Sequence, residues 1–233
     1  MKVQALAGTA LLLLVAGCNQ MPGTPKPGVE VPRPDSITDF ATLYGQNCTG
    51  CHGRDGQGGG ALDLSNPVYQ AWVDDATLRK VIAGGEPSTG SEPGTQMPAF
   101  GQTAGGFLTD AQIDALVHGM RSAWQKPGAL NGQTPPPYQS ATSGDGSRGQ
   151  ALYQTACARC HEQPATKITD PTYLALINDQ TLRTIIVAGR PDLGHPNWQG
   201  YIAGHPLTDQ EVSDIVAWLA SLRVQTPGQP YPH

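Results

Sequence analysis

The chain has 233 residues, with 19 acidic side chains against 14 lysines and arginines and a formal net charge of −5. It carries no basic stripe of the kind that binds nucleic acid. Only 38% of the residues are hydrophobic, and 29 glycines with 21 prolines exceed a fifth of the chain, which excludes one large dense core and points to small, loop-rich domains.

In chain order, Lys2 precedes an apolar run from Leu6 to Ala16 that ends in Val15-Ala16-Gly17-Cys18. The run is shorter than the roughly 20 residues needed to span a bilayer. Small residues before a cysteine resemble a lipoprotein signal peptide over residues 1–18, with Cys18 as the lipid-bearing N-terminus of the mature protein; a leader without lipid is the alternative. Residues 19–37 contain Pro22, Pro25, Pro27, Pro32 and Pro34 and show no apolar periodicity. They read as a semi-extended tether, reaching up to about 60 Å at about 3.1 Å per residue.

The organising motif is Cys48-Thr49-Gly50-Cys51-His52, which returns as Cys157-Ala158-Arg159-Cys160-His161. Two thiols on one short turn can add to the two vinyl groups of a haem, and the adjoining histidine can reach the iron. A thioredoxin-like or zinc-binding C-x-x-C is the plainer reading of one copy. Two copies with the same following histidine favour two covalently attached haem c groups, bound through Cys48, Cys51 and His52 and through Cys157, Cys160 and His161. The fifth cysteine is Cys18, so no structural disulfide remains.

The motifs belong to an internal duplication. Leu43-Tyr44, Thr77-Leu78-Arg79 and Leu108-Thr109-Asp110 match Leu152-Tyr153, Thr181-Leu182-Arg183 and Leu207-Thr208-Asp209. Pro127 and Pro135-Pro136-Pro137 place a linker at 125–146 between a first domain at 38–124 and a second at 147–225, with a tail at 226–233. Thr38 and Ser147 are the candidate caps of the first helix of each copy. The last helices are clearer: Ile113, Leu116, Val117 and Met120, like Val212, Ile215, Val216 and Leu219, recur on one face after a Thr-Asp start.

Each half thus resembles a class I cytochrome c domain, and the expected fold is all-α. The family's first and last helices cross beside the haem, commonly with a glycine against an aromatic. Gly149 and Trp218 supply that pair in the second half. In the first half large and small have changed places, so Phe40 is expected over Gly119.

The resemblance also implies the distal ligands. Gln96-Met97-Pro98-Ala99-Phe100 resembles the family's methionine loop and makes Met97 the ligand opposite His52, while Met120 falls in the core stripe and His118 on the surface. The second half contains no methionine. Its matching loop, Leu193-Gly194-His195-Pro196-Asn197-Trp198, offers His195 opposite His161, with His205 or an open iron position as alternatives. A proline carbonyl, from Pro67 and Pro171, is the expected acceptor for each proximal ring, and the nearby Tyr69 and Tyr173 either touch haem propionates or pack.

Residues 39–124 hold nine acids and four bases, net −5, and residues 147–225 hold seven acids and six bases, net −1. The acidic first half suits either a basic redox partner or a solvated surface. The resemblance implies electron transfer, as a shuttle or a fixed subunit, for a membrane-bound respiratory or photosynthetic complex or a small redox protein. It places the chain on the periplasmic side of a bacterial membrane, held to the bilayer through Cys18. A peroxidase-like di-haem enzyme or a haem sensor is the alternative if the second iron is open.

Overall fold

The computed structural model describes residues 32–87 and 95–225. The chain divides into two units, Met1–Ser36 and Ile37–His233. In the first, the described part contains a 3-10 turn over Pro34–Ser36; the leader, Cys18 and the start of the tether lie outside the described residues, as does the tail.

Among the described residues of the second unit, the regular structure is almost wholly helical, as expected. The first-half helices are α1 (Phe40–Asn47), α2 (Thr49–His52), α3 (Pro67–Trp72) and α4 (Asp75–Gly84). A two-stranded ribbon follows, β1 (Glu86–Pro87) antiparallel to β2 (Thr95–Met97), and then the long helix α5 (Asp110–Trp124). The second half repeats the helices as α6 (Gly146–Ala156), α7 (Ala158–His161), α8 (Pro171–Ala175), α9 (Asp179–Ala188) and α10 (Asp209–Ser221). The ribbon was not legible in a loop of Gly, Ser and Pro, because two- and three-residue strands carry no periodicity to detect.

Capping explains where most of the helices begin. Thr109 and Thr208 each close a capping box, with Gln112 and Glu211 reaching back to the cap. For α1 and α6 the expected Thr38 and Ser147 give way to aspartates. Asp39 accepts from the Thr42 N–H at 2.8 Å, and Asp145 accepts from the N–H groups of Ser147 and Arg148. An aspartate carboxylate satisfies the first-turn donors and also meets the positive end of the helix dipole, which a hydroxyl does not.

The core stripes fall as read: Ile113, Leu116, Val117 and Met120 are buried, as are Val212, Ile215, Val216 and Leu219. The helix crossings follow the exchanged pairs. A β-carbon placed on Gly119 would lie 2.2 Å from the Phe40 ring, and one on Gly149 would lie 1.9 Å from the Asp214 carbonyl oxygen and 2.9 Å from Trp218 Cβ. Phe40, Tyr44 and Trp124 form a cluster with ring centroids 5.2 to 5.7 Å apart. Tyr153 and Trp218 pair at 4.4 Å in the second half.

The two halves meet along a polar seam. Asn66, the cap of α3, donates to the carbonyls of Ala188 and Gly189 at the end of α9, which satisfies acceptors that the helix leaves open. Gln96, in β2, donates to the Leu176 carbonyl and accepts from the Asn178 N–H and the Thr181 hydroxyl. The proline-rich segment is bound to both halves as well. Trp72 donates to the Pro136 carbonyl at 2.7 Å, and the buried Arg183 donates to the Pro137 carbonyl at 2.6 and 3.0 Å.

Candidate functional site

Each C-x-x-C-H motif folds in the same way. The first cysteine caps a single helical turn, α2 or α7, that carries the second cysteine and ends on the histidine. None of the four cysteines in these motifs is in a disulfide. Cys51 and Cys160 are exposed, whereas burial pushes the Cys48 and Cys157 thiols up to about 11 and about 12.

The proximal rings are held by backbone carbonyls other than those of the prolines. His52 Nδ1 bonds to the Leu62 carbonyl at 2.9 Å, and His161 Nδ1 to the Thr166 carbonyl at 2.7 Å. Pro67 and Pro171 instead start α3 and α8, where a residue without an N–H is best tolerated and the preceding Asn66 and Asp170 form the caps. With Nδ1–H donating, each ring keeps the Nε2 lone pair for a metal. His52 is buried, and burial holds its ring below the ordinary histidine value against the opposing Leu62 bond.

His161 and His195 face each other with ring centroids 5.8 Å apart and planes inclined by 48°. Two imidazoles on opposite sides of one metal ion, each with a nitrogen about 2.0 Å from it, would have centroids roughly 6 Å apart. Burial, and then the neighbouring His161, push His195 down to about 4. At neutral pH it is the neutral imidazole that a metal requires. These donors, a thiol pair on the turn and two imidazole rings 5.8 Å apart, fit a covalently held haem.

His205 is exposed, and its Nε2 lies 2.8 Å from Glu211 Oε1, at the N-terminus of α10. Met97 closes β2 and is partly buried against the core, whereas Met120 is 3% exposed within it and His118 faces solvent. Both distal loops are latched to the ends of the preceding helices. Phe100 and Gly101 donate to the carbonyls of Ile82 and Ala83, and Trp198 donates to that of Val187. Tyr69 is buried and Tyr173 is 45% exposed.

Sequence reading missed Tyr201. Its hydroxyl donates to the Ile186 carbonyl at 2.9 Å and its ring meets His195 edge-on at 5.6 Å, forming one wall around that histidine. The first half has no tyrosine in the corresponding loop, so the alignment of the halves gave no signal. The Leu62 and Thr166 carbonyls were equally hidden, since any residue supplies one. The halves also differ behind the motif: Tyr44 donates to the Gly53 carbonyl at 2.9 Å, while the buried Tyr153 hydroxyl has no partner among the described residues.

Among the described residues, no helix is long and apolar enough to cross a membrane. The Cytochrome c family model matches residues 38–124 and again 146–223. The chain is 31% identical over 146 residues to the Cbb3-type cytochrome c oxidase subunit CcoP of Azospirillum sp. (strain B510), covering 58% of this chain and 44% of that one. It is 27% identical over 174 residues to the subunit FixP of Bradyrhizobium sp. (strain ORS 278), covering 68% and 53%. The chain thus spans about half the length of these curated relatives. Among solved structures, it is similar to the Kuenenia stuttgartiensis reducing HAO-like protein complex, with 16% identity, a TM-score of 0.47 and coverage of 84% of this chain and 100% of that one. Because the family model matches twice and covers well over half of the sequence, the chain belongs to the cytochrome c family.

Proposed function

We propose that the chain is an electron carrier holding two covalently attached haem c groups, one at each C-x-x-C-H motif. The observation that carries this reading is the approach of His161 and His195 to 5.8 Å, a spacing at which both imidazoles would be able to hold one haem iron. When bound, haem supplies one-electron exchange between Fe(II) and Fe(III).

The side chains hold and shield. Cys48 and Cys51, like Cys157 and Cys160, anchor the group. His52 and Met97 would hold the first iron, and His161 and His195 the second. A Met97 thioether on the iron would favour the reduced state and would give the first site the higher potential of the two. Carbonyls of Leu62 and Thr166 fix the proximal rings, and the buried Tyr44, Tyr153, Trp198 and Tyr201 exclude water.

The partner in this reading is a membrane-bound respiratory redox complex. The similarity to CcoP and FixP, both named as subunits of a cbb3-type cytochrome c oxidase, supports it. The chain acts there as a subunit or as a shuttle. Residues 1–18 form the lipoprotein leader, lipid on Cys18 holds the chain at the periplasmic side of the membrane, and residues 19–37 act as the tether. The haem domains occupy 38–124 and 147–225, with residues 125–146 joining them.

The test is low-temperature EPR of the oxidised holoprotein, with and without His195→Ala. Two low-spin signals, one of which becomes high-spin in the variant, are the expected result. A high-spin haem already present in the unmodified protein and unchanged by the substitution would refute the ligand assignment and favour a small-ligand enzyme or sensor.

A further inference from the structure

The seam between the halves contains a buried ion pair that neither haem attachment nor axial ligation uses. Arg190 is 9% exposed. Its guanidinium grips Asp192 in a bidentate pair, Nε to Oδ1 at 2.9 Å and Nη2 to Oδ2 at 2.8 Å. The same Nη2 donates across the seam to the Gly59 carbonyl at 3.3 Å, while Asp192 accepts from the Gly58 N–H at 3.4 Å.

Each end of this pair leads to an axial histidine. Gly59 lies directly on the first haem turn: a β-carbon there would come within 2.1 Å of the Cys51 carbonyl oxygen and 2.8 Å of the Gly53 nitrogen, the residues on either side of His52. At the other end, Arg190 and His195 exchange two backbone hydrogen bonds, at 3.2 and 2.9 Å. One guanidinium thus stands between the proximal side of the first site and the distal side of the second. The first-half residue at the matching position is Glu86, which reaches Asn178 instead, so the arrangement is not a relic of the duplication.

We propose that the Arg190–Asp192 pair is a shared electrostatic control of both haem sites, setting their potentials together. This inference rests on the two-haem reading above. A ferric site carries one more positive charge than a ferrous one, so a nearby cation favours the reduced form and a nearby anion favours the oxidised form. The Arg190 and Asp192 side chains are only 10% and 6% exposed, so both effects are screened less than they would be on the open surface. The pair is nearly neutral as a unit. Changing either member alone unbalances it in opposite directions.

The experiment is an optical redox titration of the holoprotein, with EPR on each variant to confirm that both haems remain low-spin. Arg190→Met leaves Asp192 uncompensated, and both midpoint potentials are expected to fall. Asp192→Asn leaves the cation uncompensated, and both are expected to rise. Arg190→Lys, which keeps the charge, should stay near the unmodified values, and Arg190→Met with Asp192→Asn should return most of the shift. If Arg190→Met does not fold, Asp192→Asn and the double variant carry the same test. Shifts of the same sign in both single variants, or a shift confined to the haem of the second half, would make the pair merely structural and overturn the proposal. A wild-type protein whose second haem lacks a His195-dependent low-spin signal would instead refute the ligand assignment. The response of the first haem to Asp192→Asn remains decisive for the proposal in that case, because it depends only on the His52 site.

Discussion

The crossing of α1 and α5 gives the sharpest stability test. An alanine methyl at position 119 would lie 2.2 Å from Phe40 Cγ and Cδ2 and 2.6 Å from Phe40 Cβ. That is about 1 Å or more inside the roughly 3.5 Å at which carbon atoms pack. Overpacking costs about 1–3 kcal/mol, and a clash reaching both the ring and Cβ belongs at the upper end. Replacing glycine by alanine in a helix returns about 1 kcal/mol, so Gly119→Ala should lose about 2 kcal/mol net. Because the obstruction is a side chain, Phe40→Ala should relieve it. The double variant should be more stable than the sum of the two single changes predicts, by about 3 kcal/mol, the whole of the relieved overpacking. Urea unfolding followed by far-ultraviolet circular dichroism at an unchanged slope measures all four proteins. Additive losses, or a Gly119→Ala variant as stable as the parent, would refute the exchanged packing. Gly149→Ala behaves differently, since its methyl would meet the backbone carbonyl of Asp214 at 1.9 Å. Truncating Trp218 should not rescue it.

Other outcomes follow from the polar contacts. Burial pushes the Asp214 carboxyl up, but hydrogen bonds from Arg148, the Asp145 N–H and Gln210 outweigh it and hold the group below the usual aspartate range. A carboxyl depressed in the folded state contributes stability above its unfolded value, near about pH 4, and loses it as the pH falls toward the folded value. Asp214→Asn should therefore be less stable at pH 7 and lose less stability on acidification, as thermal melts between pH 7 and pH 2.5 would reveal. Arg183 is 4% exposed, binds the Pro137 and Tyr138 carbonyls and pairs with Asp209. Arg183→Met should cost about 3 kcal/mol, the lower end for breaking a buried pair, and should speed limited proteolysis within residues 125–146. If Cys18 carries lipid, Cys18→Ser should move the protein from the membrane fraction to the soluble periplasmic fraction, without changing the haem spectrum.

The sequence by itself determined what rests on local chemistry. The two C-x-x-C-H turns, the capping boxes at Thr109 and Thr208, and the buried stripes of α5 and α10 depend on residues a few positions apart. Even the exchange of Phe40 and Gly119 against Gly149 and Trp218 could be read, because the duplication supplied an internal alignment. Tertiary structure decided whatever depends on backbone groups or on residues distant along the chain. The carbonyls of Leu62 and Thr166 displaced those of Pro67 and Pro171 as partners of the proximal rings, since every residue has a carbonyl and only the path of the loop selects one. Asp39 and Asp145 displaced Thr38 and Ser147 as caps, because a helix start depends on where the backbone leaves the extended region. Tyr201 beside His195 belongs to one half alone, so comparing the halves could not reveal it. The seam that joins Arg190 to Gly59 and Asn66 to Ala188 links residues more than 100 positions apart, and no periodicity or motif encodes a contact of that kind.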